Sequence, residues 1–132
     1  NLVSKLSGSA WNNFVNIGWA KKEVMFQHFF SEYQFVLCPR GKGIDTYRTW
    51  QALHVGSIPI VESSTINDLY KDLPIVVVDK WENLSKKVLT RHLKKIEENW
   101  DTMRWEKVTN TYWRGVIKKA VQRVKNYTNG RV

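Results

Sequence analysis

The chain has 132 residues, 42% of them hydrophobic and 25% charged, and a net charge of +9. This length suits one domain with a single core, and seven tryptophans exceed what a disordered tail carries. No apolar run approaches the roughly 20 residues of a membrane-spanning helix, and no signal peptide is apparent. The composition therefore predicts one folded domain, indicates no membrane partner and leaves the localisation open.

The first 32 residues contain two candidate elements. Residues 14–17 are a candidate strand that precedes the main pattern. Residues 20–32 place their large apolar side chains on one stripe at helical spacing, which predicts an amphipathic helix. The members of that stripe are Val24, Met25, Phe29 and Phe30.

Three short apolar runs follow, at residues 35–38, 58–61 and 75–78. They are rich in β-branched or aromatic residues and lack polar alternation, which is typical of parallel strands buried on both faces. The spacers between them, 45–56 and 64–73, have the length and pattern of crossover helices. The sequence therefore predicts an α/β fold, a Rossmann-like doubly wound parallel sheet flanked by helices.

Two amphipathic helices are predicted after the third strand, and their apolar residues are expected to face the core. The first is marked by Leu84, Val88, Ile96 and Trp100. The second is longer, and its apolar positions are Val108, Tyr112, Trp113, Val116, Ile117, Ala120, Val121 and Val124.

The positive charge is concentrated in these helices. Up to Trp81 there are eight Lys or Arg against seven Asp or Glu, a net of +1, whereas from Glu82 onward there are thirteen against five, a net of +8. The simplest interpretation is the solvated face of amphipathic helices. The alternative is a surface for phosphate backbone or anionic lipid. Nucleic acid is not the expected partner.

Cysteine and histidine point to no catalytic or metal site. Cys38 is the single cysteine and ends an apolar strand, so we expect it to be buried and not to act as a nucleophile. His28, His54 and His92 are far apart and lack metal-ligand spacing, so no metal is expected.

The segment from Cys38 to Leu53 carries the strongest functional signal. It runs from the carboxyl end of a predicted strand into a predicted helix, and ligands of open α/β sheets bind at that edge. A helix that begins there offers backbone N–H groups and the positive end of its dipole. Gly41 and Gly43 allow close approach of an anion, and Arg40, Lys42 and Arg48 add positive charge.

Three further residues of this segment have predicted roles. Asp45 or Thr46 is expected to cap the helix. Gln51 lies one turn after Arg48 and is placed to reach a sugar hydroxyl of a nucleotide. Taken alone, the loop matches neither the Walker A nor the dinucleotide-binding pattern, and the alternative is a flexible turn whose arginines are surface charges. The residues by themselves therefore indicate only an anion site.

A longer run of residues resembles the exostosin-like glycosyltransferases. The likeness is strongest from about residue 33 to 81 and rests on Phe35-Val36-Leu37-Cys38-Pro39-Arg40-Gly41, Gly43-Ile44-Asp45-Thr46, Arg48, Trp50, Ala52-Leu53, Gly56-Ser57-Ile58-Pro59-Ile60-Val61, Leu69-Tyr70-Lys71-Asp72-Leu73-Pro74 and Trp81. In those proteins this stretch belongs to the carboxyl-terminal, donor-binding half of a GT-B fold. The resemblance implies one Rossmann-like domain over residues 1–132 that binds a sugar nucleotide.

The resemblance also implies roles for individual residues. Arg40, Gly41 and Gly43 would line the diphosphate, and Arg48 would neutralise it as the leaving group, without a metal and with inversion. We therefore expect Arg40, Gly41, Gly43 and Arg48 to surround one anion-sized pocket at the start of the helix that follows the first strand. Gln51 departs from the family, which usually has Glu at this position to bind the ribose. An amide accepts a hydrogen bond without the charge-assisted strength of a carboxylate.

The acceptor half of such an enzyme has no room in this chain. A GT-B enzyme closes two Rossmann-like domains over its substrates, so this chain is a fragment, a lone donor-binding module, or one part of a pair with a partner. The alternative function is a non-enzymatic basic module for nucleic acid or polyanionic polysaccharide. Its binding would weaken steeply with salt, unlike that of a nucleoside diphosphate.

Overall fold

The computed structural model describes residues 30–130, and over that range the fold is a three-stranded parallel sheet with four α-helices. The strands are β1 (Phe35–Leu37), β2 (Ile58–Glu62) and β3 (Val76–Val78), in the order β1-β2-β3. The helices are α1 (Tyr47–His54), α2 (Asn67–Tyr70), α3 (Lys86–Glu98) and α4 (Asn110–Asn129). Three 3-10 turns lie at Trp81–Asn83, Trp100–Thr102 and Trp105–Val108.

The predicted strands are confirmed, with small changes at their ends. Phe35 lies opposite Ile58 in the first parallel pair, and Ile60 lies opposite Val76 in the second. β2 continues one residue beyond the apolar run, to Glu62. The order of the strands in space therefore equals their order in the chain.

Helices cover both faces of this sheet. On one face Ile60 and Val76 form a core with Leu89 and Ile96 of α3. On the other face Val36, Cys38 and Val61 pack with Ala52 of α1 and Tyr70 of α2. Alternate residues of one strand point to opposite faces, which is why both faces need a helical cover. The α/β prediction is confirmed at this level, whereas a complete doubly wound Rossmann sheet is not present within residues 30–130.

A tight turn joins α1 to β2. Gly56 has a φ of +84°, in the left-handed region, and its N–H donates to the carbonyl of Leu53 at 3.2 Å. The N–H of Ser57 donates to the carbonyl of Ala52 at 2.9 Å. This pair of bonds is the Schellman motif, which ends a helix at a glycine. It turns the chain directly into the buried strand.

Ser57 also holds the segment that leads into β1. Its buried hydroxyl contacts the carbonyl oxygens of Phe30 and Tyr33, at 2.7 and 2.8 Å. The N–H of Ile58 donates to the carbonyl of Gln34 at 2.8 Å. The start of β2 therefore fixes the start of β1.

The second crossover helix is shorter than predicted. Residues 64–73 were expected to be helical, but α2 spans only Asn67–Tyr70. The side chain of Asn67 accepts a hydrogen bond from the N–H of Ser64 at 2.9 Å and donates to the hydroxyl of Ser63 at 2.9 Å. Such local side-chain bonds stabilise a turn in competition with the helix. After α2, Asp72 adopts a φ of 64°, which ends any helical continuation.

The first carboxyl-terminal helix agrees with its prediction. α3 begins after Ser85, whose hydroxyl accepts from the N–H of Val88 at 3.3 Å, and it buries Leu89 and Ile96 against the sheet. Trp100, predicted on the same stripe, lies beyond the helix and is half exposed.

The expected burial of the second helix is wrong. α4 is helical over Asn110–Asn129, but none of its described side chains is buried. The domain holds only its first turns, because the Trp113 indole donates to the carbonyl of Lys107 at 2.7 Å and packs edge-on against Trp50 with 6.1 Å between ring centroids. Amphipathic spacing shows which residues share a face, but it does not show what covers that face.

Two predictions lie outside the described residues. The candidate strand at 14–17 is one, and most of the helix at 20–32 is the other; residues 30 and 31, at its end, are helical. Within residues 30–130, no helix combines the length and the apolarity that a bilayer crossing requires.

The α1–β2 turn gives a stability prediction. Gly56→Ala should lower the free energy of unfolding by about 1–2 kcal/mol, because an L-residue is strained at positive φ. Gly115→Ala, within α4, is the matched control and should be neutral or stabilising by up to about 1 kcal/mol. An added Cβ meets no atom within 4 Å at either site, so only the backbone differs. Urea denaturation measures both, and a Gly56→Ala protein as stable as the parent would contradict the account.

Candidate functional site

The carboxyl ends of the three parallel strands meet at one edge of the sheet. Leu37, Glu62 and Val78 are the last residues of the strands. The loop of residues 38–46 leaves β1 at this edge and leads into α1. Crevices at this edge are where open α/β sheets bind ligands.

Arg48 lies in the first turn of α1 and is half-buried. It lines a cavity of about 450 Å³ beside β1, whose other walls come mainly from apolar side chains of β1 and α3. Lys86, at the start of α3, lines the same cavity. Among the described lining residues, the two charged ones, Arg48 and Lys86, are both cations, and most of the others are apolar.

Arg40 occupies a different part of the same edge. Its guanidinium donates to the carbonyl of Ser63 at 3.0 Å, just after the end of β2. The N–H of Ser63 in turn donates to the carbonyl of Val78 at 2.7 Å. Arg40 is exposed and does not line the cavity beside Arg48. The structure thus places the two arginines on one edge but not in one pocket.

The glycines of the loop are exposed, as is Lys42. An added Cβ at Gly41 would lie 3.8 Å from the Thr46 methyl group, and one at Gly43 would lie 3.5 Å from the Asp45 carbonyl oxygen. Both are ordinary van der Waals distances. The packing of the chain therefore does not require glycine at either position.

Asp45 and Thr46 lie at the junction of the loop and α1. Thr46 is the N-cap residue by position, yet its side chain makes no capping bond. The carboxylate of Asp45 instead accepts from the Trp50 indole at 3.0 and 3.2 Å and from the Tyr70 hydroxyl at 3.3 Å. Burial, reinforced by the neighbouring Asp45 charge, raises the pKa of Tyr70 to about 12. These bonds hold the loop against α1 and α2.

Gln51 is half-buried on α1, one turn after Arg48. Residues three apart on a helix are neighbours on its surface, so the two side chains share an edge of α1. The predicted relation between them along the helix is therefore present, while their contacts with a nucleotide stay a prediction.

Cys38 is buried, as predicted, with 4% of its surface exposed. Its thiol donates to the carbonyl of Val36 at 3.5 Å. Burial raises the pKa of the thiol to about 12, although the positive charge of Arg48 and a hydrogen bond with Thr49 oppose the rise. The thiolate is therefore scarce at neutral pH, and the group is a poor nucleophile.

Sequence reasoning missed four residues that contribute to this edge. Glu62 is the last residue of β2 and Ser63 follows it, Asn67 is hydrogen-bonded to Ser63, and Lys86 lines the cavity from α3. The first two stand directly after the buried apolar run at 58–61, which is the same signal that identified the loop after β1. Lys86 gave no local signal, because it reaches the cavity only through packing of α3 on the sheet.

Within the described part of the chain, no group of three or more His, Cys, Asp or Glu side chains is placed to hold a metal ion. The metal-free mechanism stays a prediction, because this finding concerns only the side chains that are described.

Comparison with known families gives one match. The family model described as the RXYLT1 C-terminal domain matches residues 15–125, which is most of the chain. The chain belongs to this family. RXYLT1 is a xylosyltransferase, so the family is glycosyltransferase-related. No curated protein matches the chain.

The match supports part of the resemblance found in the sequence. A glycosyltransferase-related carboxyl-terminal domain agrees with the prediction of such a domain. The finer assignment to the exostosin-like proteins and to a GT-B fold is not confirmed by this match. It stays a prediction, as do the predicted ligand contacts of the loop.

The burial of Cys38 gives a chemical prediction. At pH 8 a thiol reagent should label the native protein far more slowly than the urea-unfolded chain, because the folded thiol is inaccessible and un-ionised. Ile117→Cys is the matched control, since residue 117 is 62% exposed and its thiol should react at once. Equal rates at the two positions in the folded protein would overturn the assignment of Cys38 to the core.

Proposed function

We propose that this chain binds the diphosphate of a sugar nucleotide at the carboxyl edge of its sheet and serves glycosyl transfer as an exostosin-like, GT-B donor-binding domain. The observation that carries the proposal is the position of Arg48, half-buried in the first turn of α1, the helix that follows the loop at that edge, and in the wall of a 450 Å³ cavity beside β1. The glycosyltransferase-related family of the chain supports the choice of ligand.

The charge of the cavity favours an anion. Arg48 and Lys86 are the charged groups of its described lining, and most of the remaining wall is apolar. A pair of cations beside a low-dielectric wall attracts a phosphate more strongly than the same pair in water. A guanidinium can also hold two phosphate oxygens with parallel hydrogen bonds. A diphosphate carries more than one negative charge, which matches a cavity lined by two cations.

The loop before α1 supports the same ligand. Gly41 and Gly43 are not required by packing, so close approach of a ligand to the backbone is the function that we assign to them. Thr46 leaves α1 without a side-chain N-cap, which suits a helix whose first turn receives an anion. Lys42 is exposed beside these glycines and adds positive charge.

We assign Arg48 to the diphosphate and to the negative charge that develops on it as the leaving group. Such stabilisation makes a metal unnecessary, and we propose an inverting transfer. Arg40 lies outside the cavity lining, with its guanidinium on the Ser63 carbonyl, and we assign it to the part of the diphosphate that extends toward the loop. Gln51 is assigned to the ribose, and Asp45 and Thr46 to the shape of the loop.

The donor to test first is a nucleoside-diphosphate xylose, because RXYLT1 is a xylosyltransferase. The acceptor and the catalytic base are assigned to an amino-terminal, acceptor-binding domain, in the same polypeptide or in a partner. The experiments on this chain therefore measure binding rather than turnover.

Arg48→Ala should weaken binding of a nucleoside diphosphate by about 1.5–3 kcal/mol, which is roughly 10- to 150-fold, because it removes charged hydrogen bonds. Arg48→Lys should recover only part of this loss, since an ammonium cannot make the two-pronged contact. Titration calorimetry measures each affinity.

The matched control for Arg48 is Arg91→Ala. Arg91 is exposed on α3 and outside the described cavity lining, so its removal subtracts the same charge without touching the site. An unchanged affinity of the Arg48→Ala variant for the nucleoside diphosphate would contradict the proposal. An equal loss of affinity in the two variants would also contradict it. A steep fall of the affinity with salt in every variant would favour the polyanion-binding alternative.

Gln51→Glu tests the ribose assignment separately. A carboxylate accepts hydrogen bonds from ribose hydroxyls more strongly than an amide does, so a nucleoside diphosphate should bind more tightly. Inorganic pyrophosphate lacks the ribose, so its affinity should not rise. It should bind the variant more weakly than the parent protein, because the added carboxylate repels it. A Gln51→Glu variant that weakens both ligands equally would place Gln51 beside the phosphates instead.

A further inference from the structure

The apolar side of α4 is not covered by the described domain. Five of its large apolar side chains have between 41% and 63% of their surface exposed: Val116, Ile117, Val121, Val124 and Tyr127. At 100° per residue, these positions fall within an arc of about 140° around Ile117. Scattered single exposures are ordinary on protein surfaces, whereas a contiguous stripe of this kind indicates an interaction.

The charge of α4 has one sign. Asn110–Asn129 contains no Asp or Glu, and its five cations are Arg114, Lys118, Lys119, Arg123 and Lys125. On the helical wheel Arg114, Lys118 and Lys125 border one side of the apolar arc, and Arg123 borders the other. Gln122 and Asn126 lie opposite the arc. The helix therefore presents an apolar strip with a positive border on both sides.

We propose that α4 binds an anionic lipid surface and lies in the plane of the interface. An apolar strip bordered by Lys and Arg, with polar residues opposite, matches the pattern of interfacial helices. The strip would enter the boundary between headgroups and acyl chains. The long basic side chains would reach outward to lipid phosphates, with their methylene stems against the acyl chains.

The way in which α4 is attached suits this partner. Its first turn is fixed by Trp113, which packs against Trp50, while the exposed stripe lies beyond that contact. Trp113 shares the arc of the stripe, but Val116 and Ile117, one turn further on, are 41% and 62% exposed, so the stripe is accessible beyond the first turn of α4. The excess of +8 from Glu82 onward adds long-range attraction to the same surface.

Charge disfavours two other occupants of the stripe. A second copy of α4 would bring five more cations against the first five, and like charges across an interface are repulsive. Residues 1–29 hold Lys5, Lys21 and Lys22 against Glu23, a net of +2, so they add positive charge instead of neutralising it.

Vesicle co-sedimentation of the whole chain tests the proposal. We expect binding to vesicles of about two parts phosphatidylcholine to one part phosphatidylserine, and little binding to phosphatidylcholine alone. Lys118→Gln with Lys125→Gln should lower the partition coefficient about 25-fold, at about fivefold for each cation removed. Lys87→Gln with Lys94→Gln, on α3, is the matched control and should change the coefficient much less.

A fluorescence experiment locates the contact on one side of the helix. Because Cys38 is buried, a polarity-sensitive fluorophore can be attached at Ile117→Cys alone. Its emission should shift to shorter wavelength on anionic vesicles. The same label at Lys119→Cys, on the polar side of α4, should not shift. Both positions are exposed, so neither change is expected to impair folding, and circular dichroism checks this.

Several outcomes would overturn the proposal. The first is absence of binding to anionic vesicles; the second is equal loss in the α3 and α4 charge variants; the third is an equal shift at positions 117 and 119. A concentration-dependent dimer that Ile117→Glu dissociates would assign the stripe to a second copy. Binding to an acidic protein but not to anionic vesicles would assign it to a protein partner.

Discussion

β2 is confined on every side, and the rest of the fold depends on that confinement. It pairs with β1 and β3 along its two edges, and its first four residues are buried between the helical layers. Its first residue follows a Schellman turn that only a left-handed residue can make, and Ser57 in that turn holds the carbonyls ahead of β1. A shift of β2 by one residue would move each of its side chains to the opposite face of the sheet and would break the hydrogen bonds of the turn and of Ser57. The register therefore fixes where β1 and β3 end, and hence the edge at which Arg40 and Arg48 lie.

The predictions of the fold succeeded where one local property decided the structure. The three strands were recognisable because unalternating β-branched runs suit burial on both faces, and α1 was recognisable from the length and pattern of the spacer between the first two strands. α2 was predicted too long because Asn67 and the two serines before it prefer a turn, which helical periodicity does not register. The apolar face of α4 was expected in the core because the spacing of apolar residues is the same in a buried helix and in a helix whose apolar face is exposed.

The candidate site shows the same division. The segment with Gly41, Gly43 and Arg48 is contiguous in sequence and could be predicted to lie at the carboxyl edge of the sheet. The hydrogen bond from Arg40 to Ser63 joins residues 23 positions apart, and Lys86 and Arg48 line one cavity because α3 packs on the sheet. Asp45 carries no sign in the sequence that its carboxylate is used by Trp50 and Tyr70. Pairings of this kind follow from the tertiary arrangement, which local sequence patterns do not give.

The position of Trp50 has a mechanical consequence. Its indole N–H donates a hydrogen bond to the Asp45 carboxylate of the loop. Its ring centroid lies 6.3 Å from that of Tyr70 on α2 and 6.1 Å from that of Trp113 on α4, which packs edge-on. Trp50 itself belongs to α1, two residues after Arg48. A change in the tilt of α4 therefore either breaks the Trp50–Trp113 contact or moves α1 and the loop with it. Because Arg48 stands on the same helix as Trp50, a substitution at Trp113 would act on the position of α1 as well as on the attachment of α4.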